Sequence, residues 1–276
     1  MHPILIDFGT RNLPWFGPTH LFLPTYGLLF AAGALLAWWW FMRRARSLGI
    51  EGEPVFNLGF YSLLGGILGA KATLLLVEWR RYVDHPKEIF GSLRSAGVLM
   101  GGVLCGALVF AIFAKRNGLP LFRLGDAAAA PLAMAQAVGR LGCFSAGCCF
   151  GKPAPPGFPF SCTFTSAAAA EQTGVTLNVA LIPTQLIQAA NDLLLALVLT
   201  WLWRRRIEPE GSVFWWYVVL YGVTRGLIEF WRGDSVRGVW FGGMASTSQV
   251  FAALAVVLGA SMLIRGRLRR GAAEQA

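Results

Sequence analysis

Apolar positions along the chain gather into long uninterrupted stretches, separated by short polar segments rich in arginine. Six stretches are long enough to cross about 30 Å of hydrocarbon at a helical rise of about 1.5 Å per residue: 21–42, 54–77, 96–114, 181–203, 213–231 and 242–264. A weaker seventh stretch, 127–144, is rich in alanine and carries Arg140. The pattern predicts an all-α membrane protein with seven transmembrane helices in one domain, 1–276.

The composition also favours a membrane protein. Hydrophobic residues make up 55% of the 276 residues and charged residues only 14%, whereas a soluble domain of this size would need more charge on its surface. The net charge of +10 is not concentrated in a soluble basic module, which makes a nucleic-acid partner improbable. The positive charge instead favours contact with anionic lipid of the cytoplasmic leaflet.

The distribution of positive charge predicts the orientation of the helices. With seven spans, one side of the membrane collects 13 of the 24 Lys and Arg residues: Arg43, Arg44, Arg46, Lys115, Arg116, Arg123, Arg204, Arg205, Arg206, Arg265, Arg267, Arg269 and Arg270. Because short basic loops stay in the cytoplasm, the N-terminus is expected outside and the C-terminus in the cytoplasm. The longer loops, near 78–95 and 143–180, then lie outside.

Charged residues inside the apolar stretches are the strongest indication of a functional site. Arg225 and Glu229 are four residues apart in one stretch, so their side chains share a helix face. A charge at membrane depth costs at least about 2.5–3.5 kcal/mol and usually faces a partner or a ligand. A buried structural ion pair is one interpretation, and Arg140 alone could be an interfacial arginine. Two arginines in the outer halves of different helices favour a site for an anionic lipid headgroup.

Four short motifs follow one another in order: LPTYGL at 23–28, GRLG at 139–142, PTQL at 183–186 and YGVTR at 221–225. Glu229, Arg232 and a late Ser248-Gln249 pair complete the pattern. Over nearly its whole length, the chain resembles the prolipoprotein diacylglyceryl transferase family. The resemblance implies a multi-pass enzyme of the bacterial inner membrane that moves a diacylglyceryl group from phosphatidylglycerol to the lipobox cysteine of an exported preprolipoprotein. Glycerol phosphate would be the leaving group, and no metal ion or other cofactor is expected.

The resemblance also implies roles for individual residues. Arg140, Arg225 and Glu229 are expected to be catalytic, the arginines by holding the phosphate and the glutamate by orienting Arg225. The expected substrate-binding residues are Tyr26, Lys71, Gly142, Cys143, Gly151, Gln185, Tyr221 and Arg232.

The chain departs from the family pattern where a base and polar contacts are expected. Met100 precedes Gly101-Gly102 where the family has histidine, and Cys143, Ala146 and Cys148 occupy positions that are polar in the family. Gln188 stands where glutamate is usual. Two alternatives therefore stay open: a divergent paralogue that modifies another acceptor through Cys143 or Cys148, and a non-catalytic phospholipid-binding membrane protein.

Four of the five cysteines lie in the outer region and allow several interpretations. An oxidising compartment favours a disulfide from Cys162 to Cys148 or Cys149. A reactive thiolate beside Arg140 is an alternative. Zinc binding is less favoured, because adjacent cysteines lack the usual Cys-x-x-Cys spacing. Cys105 is expected to pack between helices, as are two sets of small residues, Gly65-Gly66 with Gly69 and Gly101-Gly102 with Gly106.

Overall fold

The computed structural model describes residues 3–13, 17–50, 52–85, 89, 97–233, 238–240 and 244–275. The helices of this part are α1 (Thr25–Ser47), α2 (Glu53–Val77), α3 (Trp79–Asp84), α4 (Leu99–Arg116), α5 (Leu121–Ala146), α6 (Ala167–Thr173), α7 (Thr184–Arg204), α8 (Ser212–Ile228), a 3-10 turn (Glu229–Trp231) and α9 (Thr247–Gln275). Three antiparallel strand pairs accompany them: β1 (Ile4–Leu13) with β2 (Gly17–Pro24), β3 (Cys162–Thr163) with β4 (Ala180–Leu181), and β5 (Val239–Trp240) with β6 (Ala245–Ser246). The protein is thus mostly helical, as expected, but the expectation of an all-α fold left out these three strand pairs.

Among the described residues, five helices are long and apolar enough to cross a membrane: α1, α2, α4, α7 and the part of α9 up to Ala272. The other two predicted spans correspond to α5 and α8, which are also long helices of 26 and 17 residues. The first predicted span begins too early, because residues 21–24 belong to β2 and the helix starts only after Pro24. Residue 96, residues 242–243 and much of the loop 78–95 lie outside the described residues.

The chain forms two compact units, one of Met1–Trp40 with Gly125–Ala276 and one of Phe41–Leu124. A single membrane domain stays a prediction. In the second unit, α2 packs on α4 through glycines, as expected from the sequence. A Cβ on Gly102 would lie 2.9 Å from the carbonyl oxygen of Gly66, and one on Gly69 would overlap the side chain of Cys105. The expectation that Cys105 serves in packing is therefore confirmed.

The core of the first unit is built from α5, α7 and α8. Small residues of α5 interlock with larger residues of its neighbours: Ala129, Ala130, Ala133, Leu195, Ala196, Leu199 and Val213 are all buried. The alanine content that weakens α5 as a membrane span is explained by this position, since small side chains allow helices to approach closely. Helix α5 therefore contributes a packed interior rather than an apolar surface.

Two further features fix the helices around α5. The carboxylate of Asp126 accepts hydrogen bonds from the backbone N–H groups of Gly211 (2.7 Å) and Phe214 (2.9 Å), which satisfies donors at the start of α8. Helix α9 packs on α8 at glycine positions, since a Cβ on Gly222 would lie 3.0 Å from the carbonyl oxygen of Ala252. The Asp126 contacts thus hold the start of α8, and the packing at Gly222 holds its C-terminal half, which carries Arg225.

Candidate active site

Arg225 and Glu229 form a buried ion pair at the end of α8. The Arg225 Nη1 lies 2.6 Å from the Glu229 Oε2, and the two side chains are only 11% and 5% exposed. Arg225 also donates to the hydroxyl of Ser248 (3.1 Å), and the second oxygen of Glu229 accepts a hydrogen bond from the Ser246 hydroxyl (2.8 Å). Ser246 at the end of β6 and Ser248 at the start of α9 therefore hold the two side chains, so the Arg225 guanidinium has a fixed position.

Arg140 lies near the end of α5 and is half-buried. Within the described part of the chain, its guanidinium forms no hydrogen bond and no ion pair, although Tyr221 and Asp192 lie within electrostatic reach. The neighbouring Gly139 leaves its side of the helix open, since a Cβ there would meet no described atom within 4 Å. Arg140 therefore keeps its donor groups available in a partly desolvated place, where a charged hydrogen bond is strong.

Asp192 on α7 is a buried carboxylate that the sequence interpretation missed. It is fully inaccessible, and its Oδ1 accepts hydrogen bonds from Gln188 (2.7 Å) and Asn191 (3.2 Å). Its Oδ2 makes no hydrogen bond to any described residue, while Arg140 and Arg225 both lie within electrostatic reach. Asp192 could have been selected from the sequence, because an acidic residue inside an apolar stretch is as unusual as an arginine there.

The loop after α5, residues 147–151, is termed the cysteine loop and is fixed at each position. Gly147 has a left-handed backbone (φ 78°), and the N–H of Cys148 donates to the carbonyl of Cys143 (3.1 Å), which closes α5 in a Schellman motif. Three side chains bind the next carbonyls: Thr173 that of Gly147 (3.2 Å), Gln185 that of Cys148 (2.9 Å) and Thr184 that of Cys149 (2.9 Å).

Gly151 ends the cysteine loop between two other segments. Its N–H donates to the carbonyl of Ile182 (3.1 Å), and it forms an antiparallel bridge with Arg232. A Cβ at Gly151 would overlap the carbonyl oxygen of Ile182, so glycine is required by close backbone approach. The expected role of Gly151 in substrate binding stays a prediction.

Three thiols meet at the cysteine loop. The Sγ atoms of Cys143, Cys148 and Cys149 all lie within 4.8 Å of one another. Hydrogen bonds from Cys143 and Cys148 lower the pKa of the Cys149 thiol below its ordinary value, and the positive charges of Arg232 and Arg140 act in the same direction. Hydrogen bonding to its two neighbours raises the pKa of Cys148, as does burial. The three thiols thus form one interacting group within reach of two positive charges.

The expected disulfide from Cys162 to this trio is wrong for the structure, in which all five cysteines are free thiols. The reason is local packing. Cys162 lies on β3 and contacts an apolar cluster that includes Phe164 and Leu181. Cys148 and Cys149 instead lie close to Cys143 of α5.

The structure brings most of the predicted site residues into one region of the first unit. Tyr26, at the start of α1, packs on Gly142, whose Cβ would lie 3.2 Å from the Tyr26 ring. The Tyr26 hydroxyl lies within electrostatic reach of Arg140 and the three thiols, and Tyr221 is within reach of both Arg140 and Arg225. Gln185 contributes by holding the carbonyl of Cys148. Lys71 is on α2, in the second unit, and its role stays a prediction.

These features define a class of multi-pass membrane protein in which arginines, carboxylates and tyrosines converge at the ends of packed helices. Residues 16–265 match the family model for prolipoprotein diacylglyceryl transferase, and the chain belongs to this family. The expectation drawn from the sequence motifs is confirmed.

Named relatives are similar over almost the entire chain. A phosphatidylglycerol–prolipoprotein diacylglyceryl transferase of Clostridium tetani is 34% identical over 245 residues, which is 89% of this chain and 94% of that protein. The Symbiobacterium thermophilum protein of the same name is 30% identical over 270 residues, covering 95% of this chain and 91% of the relative. A second Clostridium perfringens transferase of this kind is 30% identical over 252 residues, 90% of this chain and 94% of its own length.

Proposed function

We propose that this protein transfers the diacylglyceryl group of phosphatidylglycerol to the lipobox cysteine thiol of an exported preprolipoprotein. The observation that carries the proposal is Arg140, a half-buried arginine with no hydrogen bond to a described residue, together with Arg225, which Glu229 already fixes. Asp192 lies within electrostatic reach of both arginines. Such an arrangement suits a phosphate that has to be bound and then released with additional negative charge. The activity of the family and of the named relatives supports the same substrates.

The reaction is a displacement at a glycerol carbon. The acceptor sulfur forms a bond to that carbon, the bond from the carbon to the phosphate oxygen breaks, and glycerol phosphate leaves with the electron pair. Negative charge on the phosphate increases as the bond breaks, so donors fixed around it stabilise the transition state more than the bound lipid. The Arg140 guanidinium, with its planar fork of donors, supplies two hydrogen bonds to the phosphate.

The remaining side chains of the site orient the headgroup and balance its charge. Glu229 and Ser248 hold the Arg225 guanidinium, so its positive charge stays at one position while substrate binds. The hydroxyls of Tyr26 and Tyr221 hydrogen-bond the glycerol end of the headgroup. Asp192 provides a buried negative charge within reach of both arginines, which lowers the cost of keeping them desolvated before lipid arrives.

We further propose that the chain crosses the bacterial inner membrane seven times as one domain, with its N-terminus outside and its C-terminus in the cytoplasm. Helices α5 and α8 are the two spans beyond the five apolar helices, and both are long enough in helical residues to cross most of a bilayer. A reporter that is active only in the cytoplasm should work when fused after Ala276 and fail when inserted beside Pro155. The reverse pattern would contradict this orientation.

The transfer itself can be measured with purified protein in phosphatidylglycerol vesicles that carry labelled acyl chains. Label should move to a lipobox peptide and should not move to the same peptide with serine in place of cysteine. Vesicles of phosphatidylcholine should not support transfer. If labelled phosphatidylglycerol is bound but no peptide thiol is modified, the protein is a phospholipid-binding relative or acts on another acceptor.

A further inference from the structure

Three thiol groups converge on one point beside the phosphate site, and the backbone explains how they do so. The Schellman motif at Gly147 returns the chain over the end of α5, which places Cys148 beside Cys143. Cys149 then adopts a left-handed backbone (φ 60°), which is uncommon for a residue with a side chain. This conformation turns the third thiol to the same side, and the three Sγ atoms lie within 4.8 Å of one another.

The positions of the three sulfurs are set before any ligand binds. Thr184 and Gln185, at the start of α7, hold the carbonyls of Cys149 and Cys148, and Thr173 of α6 holds that of Gly147. Because separate elements fix each residue of the loop, the trio is preorganised rather than assembled by chance from a flexible segment. Adjacent cysteines usually cannot bind one metal ion together, but the left-handed backbone at Cys149 brings its sulfur close to those of Cys148 and Cys143.

Three sulfurs at such distances match the requirements of a thiophilic ion. Zinc binds thiolates at about 2.3 Å in a tetrahedron, which corresponds to about 3.8 Å between sulfurs, so each pair needs to move by at most about 1 Å. Sites with three protein ligands leave the fourth position to a reactant. Arg140 and Arg232, both within electrostatic reach of Cys149, would balance the negative charge of three thiolates around a divalent ion.

We propose that Cys143, Cys148 and Cys149 bind a zinc ion whose fourth position takes the acceptor cysteine thiol; this inference rests on the proposed transferase function. The reason lies in the chemistry of the acceptor. A thiol must lose its proton before it attacks carbon, and Met100, at the position of the family histidine, has no group that accepts a proton.

Coordination supplies the deprotonation that Met100 cannot. A thiol bound to zinc loses its proton to solvent and stays on the metal as a thiolate. Its sulfur then forms the bond to the glycerol carbon, the carbon–oxygen bond to the phosphate breaks, and the neutral thioether leaves the metal. Arg140 holds the departing glycerol phosphate on the other side of the reacting carbon. Cys143 and Cys148, which stand where the family has polar residues, thereby act together with Cys149.

The first test is metal content, which is independent of activity. Protein purified in detergent without chelator or reductant should hold about one zinc per chain by elemental analysis. Cobalt-exchanged protein should show the intense sulfur-to-cobalt absorption bands of a thiolate site. Cys148→Ser and Cys149→Ser should each lower zinc content at least tenfold, while Cys162→Ser, a change outside the trio, should leave it unchanged. Each variant must retain the elution profile and thermal melt of the folded protein.

The second test asks whether the open position takes the acceptor. A lipobox peptide should change the visible spectrum of the cobalt protein, and the peptide with serine in place of cysteine should not. Removal of the metal should lower the transfer rate at least a hundredfold, with recovery on addition of zinc. Absence of bound metal in folded protein, an unchanged cobalt spectrum with the thiol peptide, or full transfer by metal-free protein would each overturn the inference. Metal binding and a thiol-dependent spectrum without lipid transfer would instead contradict the proposed transferase function alone.

Discussion

The two arginines of the site are the same residue type in opposite situations. Arg225 has the Glu229 carboxylate at 2.6 Å and the Ser248 hydroxyl at 3.1 Å. Ser246 of β6 holds the carboxylate, and Ser248 belongs to α9. Arg140 is half-buried at the end of α5 and has no hydrogen bond to a described residue. The difference indicates two roles. Arg225 supplies positive charge at a fixed position, and Arg140 has the donor groups that can bind a phosphate.

This comparison separates stability from binding. Loss of one partner from a buried ion pair leaves an uncompensated charge, so changes at Arg225 should affect folding. Replacement of Arg140 removes no hydrogen bond to a described residue, so it should affect substrate binding more than the fold. Substitutions of Arg140, of Arg225 and of Asp192, which is within electrostatic reach of both, test whether this distinction holds.

The largest expected effect on activity is at Arg140. Arg140→Ala should lower transfer at least about 100-fold with little change in thermal stability, because the phosphate loses its forked donor. Arg140→Lys should lose nearly as much, since lysine retains the charge without the bidentate geometry. Rates are measured with labelled phosphatidylglycerol and a lipobox peptide. Wild-type rates in Arg140→Lys would show that charge alone is needed.

Replacement of Arg225 should damage stability as well as activity. Arg225→Ala leaves Glu229 buried without its cation and should cost about 3–5 kcal/mol in the free energy of unfolding. The double variant Arg225→Ala with Glu229→Gln should regain part of that loss but no transfer. Thermal melts in detergent and the transfer assay report the two quantities. If the double variant recovered activity, the positive charge of Arg225 would not be required.

A smaller loss is expected at Asp192. Asp192→Asn keeps the shape of the side chain and an oxygen that accepts the hydrogen bond from Gln188. It removes the negative charge that lies within electrostatic reach of both arginines. Transfer should fall about 10-fold, the equivalent of about 1.4 kcal/mol. Asp84→Asn, at an exposed position on α3, is the control and should have no effect. Equal rates for both variants would exclude Asp192 from the charge balance of the site.

The smallest effect should come from the hydrogen bonds that hold the cysteine loop. Thr184→Val removes the hydroxyl that binds the carbonyl of Cys149 and should cost about 1 kcal/mol of stability. It should also increase the alkylation rate of the loop thiols, because the loop becomes more mobile. Thr176→Val, at an exposed position, is the matched change without that contact. Identical alkylation rates would mean that the loop is held by its backbone alone.

The sequence predicts the helices well where length and hydropathy act together. Helices α2 and α4 fall where apolar stretches predict them, and their glycines pack as expected. Strands β3, β4, β5 and β6 have only two residues each, too few for any periodicity. Strands β1 and β2 are longer, with 10 and 8 residues, and the end of β2 overlaps the start of the first apolar stretch. Hydropathy indicates α5 only weakly, because its alanines follow from burial against α7 and α8.

For the site, the sequence identifies residue types better than their partners. Arg140, Arg225 and Glu229 could be selected because a charge in an apolar stretch is costly. The same reasoning would have selected Asp192, which belongs to no quoted motif. The meeting of Cys143, Cys148 and Cys149 could not be predicted, because it depends on left-handed backbones at Gly147 and Cys149 that spacing alone does not reveal.

Binding of phosphatidylglycerol tests the central claim, that Arg140 is the group that holds the lipid phosphate. The measurement is the rise in melting temperature when increasing phosphatidylglycerol is added to folded protein in detergent, compared between wild type and Arg140→Ala. A ligand that binds only the folded state stabilises it in proportion to the logarithm of its concentration. We expect the melting temperature of the wild type to rise with phosphatidylglycerol concentration, and that of Arg140→Ala to stay constant at matched starting stability. The same rise in both proteins would contradict it.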